Sequence, residues 1–212
     1  YDRFSNPRFG KYSFAALITV SETTYTTGSV KAILDHKRTD ELYEILPNYL
    51  HRMGVDVVWR TSNWGEPPVH IDRYVSDNDL KALQGGATAG GGVDGVVYDG
   101  ILLSGLRDEI MSCDKRKMLV VLHTSTSHGP EYWKKYPAEF EVFKPVCKTV
   151  EMSKADHQEL INAYDNTIVY TDYLLHSVIE ILKSVPERRS CMIYVADHGE
   201  SLGEGGLYMH GV

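Results

Sequence analysis

"KMLVVLHTSTSHGP", residues 117–130, runs through five consecutive apolar residues and then breaks into histidine, serine, threonine and a Gly-Pro pair. A short apolar run bounded by turn residues is the pattern of a strand running into a polar loop at its carboxyl end. Downstream, "DHQELINAYDNTIVYTDYLLHSVIEILKSV" (156–185) predicts a long helix with Ile161, Tyr164, Ile168, Leu175, Val178 and Leu182 on one apolar stripe. A further strand, "CMIYVADHGE" (191–200), follows it. Upstream, "VDVVWR" (55–60) and "YSFAALITV" (12–20) are strand-like. Between them "TGSVKAIL" and "TDELYEILPNYLHRMG" read as two helical pieces, the second capped by Gly54. The alternation predicts an α/β fold with a largely parallel central sheet flanked by helices. "TSNWGEPPVH" (61–70) and "LQGGATAGGGVDG" (83–95) read as surface loop.

The 212 residues are enough for one α/β domain, and 42% hydrophobic content supplies its core. A formal net charge of −7, with scattered Lys and Arg, argues against a nucleic-acid partner. No apolar run reaches the roughly 18–20 residues of a membrane span, so this stretch is expected to be soluble. Cys113, Cys147 and Cys191 allow at most one internal disulfide and form no CxxC motif. The chain starts in loop-like sequence without Met and stops just after "MHG", which reads as a piece of something longer.

In parallel sheets, ligands sit beyond the carboxyl ends of the strands. Three polar clusters fall there. Asp197 and His198 leave an apolar strand directly into Gly199, and together they offer oxygen and nitrogen ligands to a zinc-like cation. The plainer alternative is a strand-end cap beside a half-buried histidine; His210 and His128 add a cluster that this alternative does not explain. "SETTYTTGSVKAIL" (21–34) places four threonines and two serines ahead of a helical run. A hydroxyl there is either an N-cap or a nucleophile beside an anion site at the helix N-terminus, activated by a metal. Of the two histidines in "HTSTSHGP", His123 suits the core, and His128, in the loop, faces a ligand.

"LHTSTSHGPEYWKKYPAEFEVFKPVC", "HQELINAYDNTIVYTDYLLHSVIEIL" and "YVADHGESLGEGGLYMHG", in this order, resemble the periplasmic catalytic domain of the phosphoethanolamine transferases. This family belongs to the alkaline phosphatase/sulfatase superfamily and includes the mobile colistin-resistance enzymes. The resemblance implies a fold of that type, truncated here at both ends, as a single partial catalytic domain over residues 1–212 without its N-terminal membrane domain. It implies Zn2+ as cofactor, held by Thr26, Asp197 and His198 with a Glu upstream of this chain. Thr26 is the implied nucleophile, with Thr23, Thr24 and Thr27 one register away. His128 and His210 are implied to bind the substrate phosphate or a second metal.

The implied reaction moves phosphoethanolamine from phosphatidylethanolamine, through a phospho-threonine, to lipid A or a core oligosaccharide. It would take place at the periplasmic face of the bacterial inner membrane, in a monomer. Rival readings are another phospho-group transferase of the superfamily, such as a phosphoglycerol transferase, and a non-catalytic ectodomain. A cysteine-type sulfatase is disfavoured, because none of the three cysteines stands at the nucleophile position. Departures from the family pattern are Ala155 and Glu22, where relatives carry Cys, and Glu66 with two prolines in a loop where some relatives carry a basic residue.

Overall fold

The computed structural model describes residues 21, 23–35, 44–64, 66–83 and 96–211. The strand expected over 12–20, the residues before Glu44 in the second helical piece, the Gly-rich run from residue 84 and Glu22 lie outside the described residues. Three parallel strands form the sheet in the order β2-β1-β3. They are β1 (Asp56–Thr61), β2 (Arg73–Ser76) and β3 (Met118–His123). β1 is central, pairing Thr61 with Ser76 on one side and with His123 on the other. Its residues from Val57 to Thr61 are all buried, as expected of a strand covered on both faces. The sheet and its flanking helices confirm the α/β architecture.

Arg60 is the charged residue in the buried stretch of this strand, and its charge is met. It pairs with Glu109 at 2.6 Å and donates to the carbonyls of Leu102 and Ser104. A buried guanidinium stays charged only with such partners. Arg73 on β2 joins the same network through Glu109 and Asp56.

Helix α1 (Thr26–Leu34) forms as expected from "TTGSVKAIL". Helix α2 (Leu46–Arg52) is shorter than its pattern implied. Glu44 and Ile45 are not helical, and Pro47 stands in the first turn, where its missing N–H removes no helical bond. Gly54 ends it with φ +81°. The described residues between β1 and β3 hold more regular structure than the composition suggests. It contains β2, helix α3 (Asp77–Leu83), a 3-10 turn at Asp99–Leu103 and helix α4 (Leu106–Ser112).

Helix α5 (His157–Lys183) begins where Asp156 accepts the backbone N–H groups of Gln158 and Glu159. Its fully buried face is not the predicted apolar stripe, which is only half-buried. That face carries Leu160, Asn162, Ala163, Asn166, Thr167, Tyr170 and Leu174. The polar members pin the long segment that follows β3. Asn166 Oδ1 accepts the N–H groups of Val142 and Phe143, both at 2.9 Å, and Asn162 donates to the Pro145 carbonyl at 2.8 Å. A loop buried against a helix needs partners for its peptide groups, and these asparagines provide them.

The strand expected over 191–195 does not form. Ile193 is 82% exposed, Tyr194 and Val195 are also exposed, and no described strand pairs with this segment. Without a neighbouring ladder, an apolar β-branched run has nothing to hydrogen-bond to. The chain then folds into a small antiparallel hairpin, β4 (Ser201–Leu202) and β5 (Tyr208–Met209). Leu202, Tyr208 and Met209 pack on Tyr132, Leu160 and Ala163, which fixes the hairpin against the start of α5. All three cysteines are free thiols.

Candidate active site

Thr26 is the first residue of α1. The N-cap position, Tyr25, gives no side-chain cap, and the first turn holds no acidic residue. With no side-chain cap at Tyr25, the N–H groups of that turn keep a partial positive charge, a setting that favours an anion. Ser29, one turn on, is buried and bonds Thr23 at 2.7 Å, while Ser21 donates to the Asp197 carbonyl at 2.8 Å. These bonds bring the threonine-rich segment to the Asp-His pair, 171 residues away in sequence.

His198 Nε2 lies 3.3 Å from Thr26 Oγ1 and 3.3 Å from Asp197 Oδ2. Its Nδ1 stands 2.9 Å from the Gly199 carbonyl, which can only accept. Nδ1 thus carries the proton, and in the neutral ring Nε2 presents a lone pair toward the hydroxyl and the carboxylate.

The same logic applies twice more. His128 Nδ1 faces its own neighbour's carbonyl, Gly129 O, at 2.7 Å, and His210 Nδ1 faces Glu200 Oε2 at 2.7 Å. The three rings gather, with centroids 4.3 Å apart for His198 and His210 and 4.8 Å for His128 and His210. Each has its Nδ1 engaged and its Nε2 uncommitted to that acceptor. Burial, opposed by the Gly129 bond, lowers the pKa of His128 and favours the neutral ring. The five residues singled out from sequence, Thr26, His128, Asp197, His198 and His210, come together in one place.

Glu200 was not singled out, yet it organises half of this cluster. It is 6% exposed. One oxygen accepts the Gly129 N–H at 3.1 Å and the Tyr132 hydroxyl at 2.7 Å, and the other accepts from His210. The carboxylate thus ties the loop after β3 to the hairpin that carries His210. Burial, reinforced by the Glu200 charge, pushes the Tyr132 hydroxyl pKa well up, so it remains a donor. Gly129 is required by the closeness of this arrangement, because a Cβ there would sit 2.7 Å from the Tyr132 hydroxyl and 2.9 Å from Glu200. Met209, just before His210, holds φ +67°, a conformation uncommon for a residue with a side chain, and this turns the backbone into the site.

Two further buried carboxylates support the sheet edge. Asp99 accepts the N–H groups of Ser125 and Thr126 at 2.9 and 2.8 Å, and holds the loop leading to His128. His123, at the end of β3, lies 2.8 Å from Glu66, in keeping with a core role. Burial alone would raise the pKa of Glu66, but hydrogen bonds from His123 and Thr61 outweigh it and hold the group at about 2. The unfolded chain titrates nearer the ordinary 4.5, so folding favours the ionised form. This contribution is complete above about pH 4.5 and lost as pH falls toward 2. Denaturant midpoints measured across that window should fall more steeply for the wild type than for Glu66→Gln; parallel curves would show that the pair adds no acid-sensitive stability.

The donor set suits a tetrahedral cation. Two ligands each about 2.1 Å from such an ion stand roughly 3.4 Å apart, and both spacings around His198 Nε2 are 3.3 Å. His198, Glu200 and His210 also place possible ligand atoms within 4.8 Å of one another. Glu200, however, already serves Gly129, Tyr132 and His210, and so acts as the partner that orients His210.

Residues 13–212 match the Sulfatase family model. The chain belongs to the sulfatase family. Within that family it is 39% identical over 218 residues to the phosphoethanolamine transferase EptA of Helicobacter pylori, covering 100% of this chain and 40% of that protein. It is 35% identical over 199 residues to the phosphatidylethanolamine transferase Mcr-1 of Escherichia coli, covering 89% of this chain and 37% of that one. The chain thus spans about two fifths of the curated relatives it matches. Among solved structures, the C-terminal periplasmic domain of phosphoethanolamine transferase EptC from Campylobacter jejuni superposes with a TM-score of 0.76 at 33% identity, covering 91% of this chain and 59% of that one. The soluble domain of lipooligosaccharide phosphoethanolamine transferase A from Neisseria meningitidis gives 0.75 at 30% identity, covering 90% and 57%. None of the described helices is long and apolar enough to cross a membrane.

Proposed function

We propose that this chain is the catalytic domain, or part of it, of a phosphoethanolamine transferase. It would take the head group from phosphatidylethanolamine and pass it to lipid A or a related envelope acceptor on the periplasmic side of the inner membrane. The observation that carries the reading is the approach of the Thr26 hydroxyl to His198 and Asp197 at the uncapped N-terminus of α1. The similarity to named transferases supplies the substrate class.

Thr26 Oγ1, Asp197 and His198 would hold Zn2+, together with a ligand from outside the described residues. Bound there, the ion lowers the pKa of the threonine hydroxyl and offsets charge on phosphoryl oxygens. The chain's own residues do the rest. The α1 N-terminus binds and orients the phosphodiester anion. The bond from Oγ1 to phosphorus forms as the bond to the diacylglycerol oxygen breaks; the threonine loses its proton and the departing alkoxide gains one. His210 would give that proton, with the Glu200 carboxylate at its Nδ1 supporting a charge on the ring. An acceptor oxygen then displaces threonine by the reverse exchange.

The test is to incubate the full-length protein with phosphatidylethanolamine and, separately, with phosphatidylglycerol. Peptide mass spectrometry should show a phosphoethanolamine adduct on Thr26 from the first lipid and none from the second. A phosphoglycerol adduct would favour the sister transferase, and no adduct with either would leave a non-catalytic domain as the better reading.

A further inference from the structure

A large, exposed aromatic side chain stands at the rim of the histidine cluster. Trp64 is 73% exposed. Single exposed apolar residues are common on protein surfaces and by themselves mean little. Here the backbone beneath the ring is tightly held. Asn63 donates to the Thr124 carbonyl at 2.9 Å and accepts the Trp64 N–H at 2.9 Å, and its own N–H is bonded to Thr61 at 3.1 Å. Two residues on, Glu66 is locked to His123. The indole is therefore presented next to a hydrogen-bonded Asn63, with its centroid 6.3 Å from that of His128.

A phosphodiester whose phosphorus sits between Thr26 and the histidines must send its head group somewhere. If that head group ends in an ammonium, a carboxylate or a π face holds it more firmly than a neutral oxygen does. Among the described residues, the carboxylates around the site are already committed. Glu66 is taken by His123, Asp99 by the loop after β3, Glu200 by Gly129, Tyr132 and His210, and Asp197 by the Thr26 and His198 constellation. The exposed indole beside His128 is not.

Resting on the transfer chemistry proposed above, we propose that Trp64 is a specificity-determining residue, the platform on which the cationic end of the donor head group lies. It would select phosphoesters with an ammonium-terminated two-carbon arm over neutral ones of equal size. Trp offers the strongest cation–π face, and a cation within about 6 Å of the ring centroid is bound most firmly when partly desolvated.

The measurement is calorimetric binding of O-phosphoethanolamine and of 2-hydroxyethyl phosphate to the full-length protein, as wild type, Trp64→Ala and Trp64→Phe. The wild type should prefer the ammonium ligand by roughly 5- to 30-fold. Trp64→Ala should lose that preference while binding 2-hydroxyethyl phosphate as before, and Trp64→Phe should keep part of it. Equal weakening of both ligands in Trp64→Ala, an unchanged preference, or no binding of O-phosphoethanolamine by the wild type at millimolar concentration would each overturn the assignment. So would a defect confined to phosphatidylethanolamine in vesicles, which would give Trp64 to the lipid surface instead. The adduct on Thr26 is read separately. An adduct without a Trp64-dependent preference removes this inference alone, and a Trp64-dependent preference without an adduct removes the transferase reading and leaves the cation platform standing.

Discussion

Thr26→Ala in the full-length enzyme is expected to give no covalent adduct and no transfer above background, with the fold intact. The substitution removes the hydroxyl that lies against His198 and little else. Thr26 is not the N-cap of α1, and no side-chain cap is lost with it, so stability should change by less than about 1 kcal/mol. Its neighbours are poor substitutes. Thr23 and Ser29 are bonded to each other at 2.7 Å, and Thr24 and Thr27 are exposed. Thr26→Ser keeps a hydroxyl in the same place and should retain measurable transfer, separating loss of the nucleophile from loss of shape. Melting curves, adduct mass and transfer to lipid A, measured on the same preparations, decide it. An adduct on another threonine, or undiminished transfer in Thr26→Ala, would remove Thr26 from the mechanism.

The sequence made the central strands and the long helix legible because each carries an uninterrupted periodic signal. β1 and β3 are apolar runs ended by polar loops, and α5 opens with an Asp cap and continues for seven turns. The five candidate site residues were legible because they stand in short motifs near glycine, although the strand expected to carry Asp197 and His198 does not form. What stayed hidden has tertiary causes. β2 and α3 are short and polar, and their order comes from Arg73 reaching Glu109 and from Leu80 packing on Ile101 and Leu102. The buried face of α5 contains asparagines because it must satisfy a loop more than ten residues away, which no periodicity reveals. Residues 191–195 have the composition of a strand, but strand formation depends on a neighbour, and composition does not report one. Glu200 could have been suspected from its place two residues after His198, though its role follows only from where Gly129 and Tyr132 end up.

That role sets up the last expectation. His128→Ala and His210→Ala should each leave the metal content unchanged, since Thr26 and Asp197 converge on His198 and not on these two rings. Each should slow transfer by ~10²–10³, the usual effect of removing one group that stabilises developing charge. Glu200→Gln should fall short of that loss but act through the same ring. The amide carbonyl can still accept from Gly129 and Tyr132, so the fold is kept, while a neutral partner can no longer balance a proton shared with His210. The loss should appear in kcat more than in KM, with a shift in the pH profile of kcat that a merely structural change would not produce. Combining Glu200→Gln with His210→Ala should be no worse than His210→Ala alone, because residues that act as a unit are not additive. If the double variant instead loses the product of the two single effects, or if His210→Ala releases zinc, then His210 is a metal ligand or Glu200 acts independently, and the division of labour drawn from their hydrogen bonds is wrong.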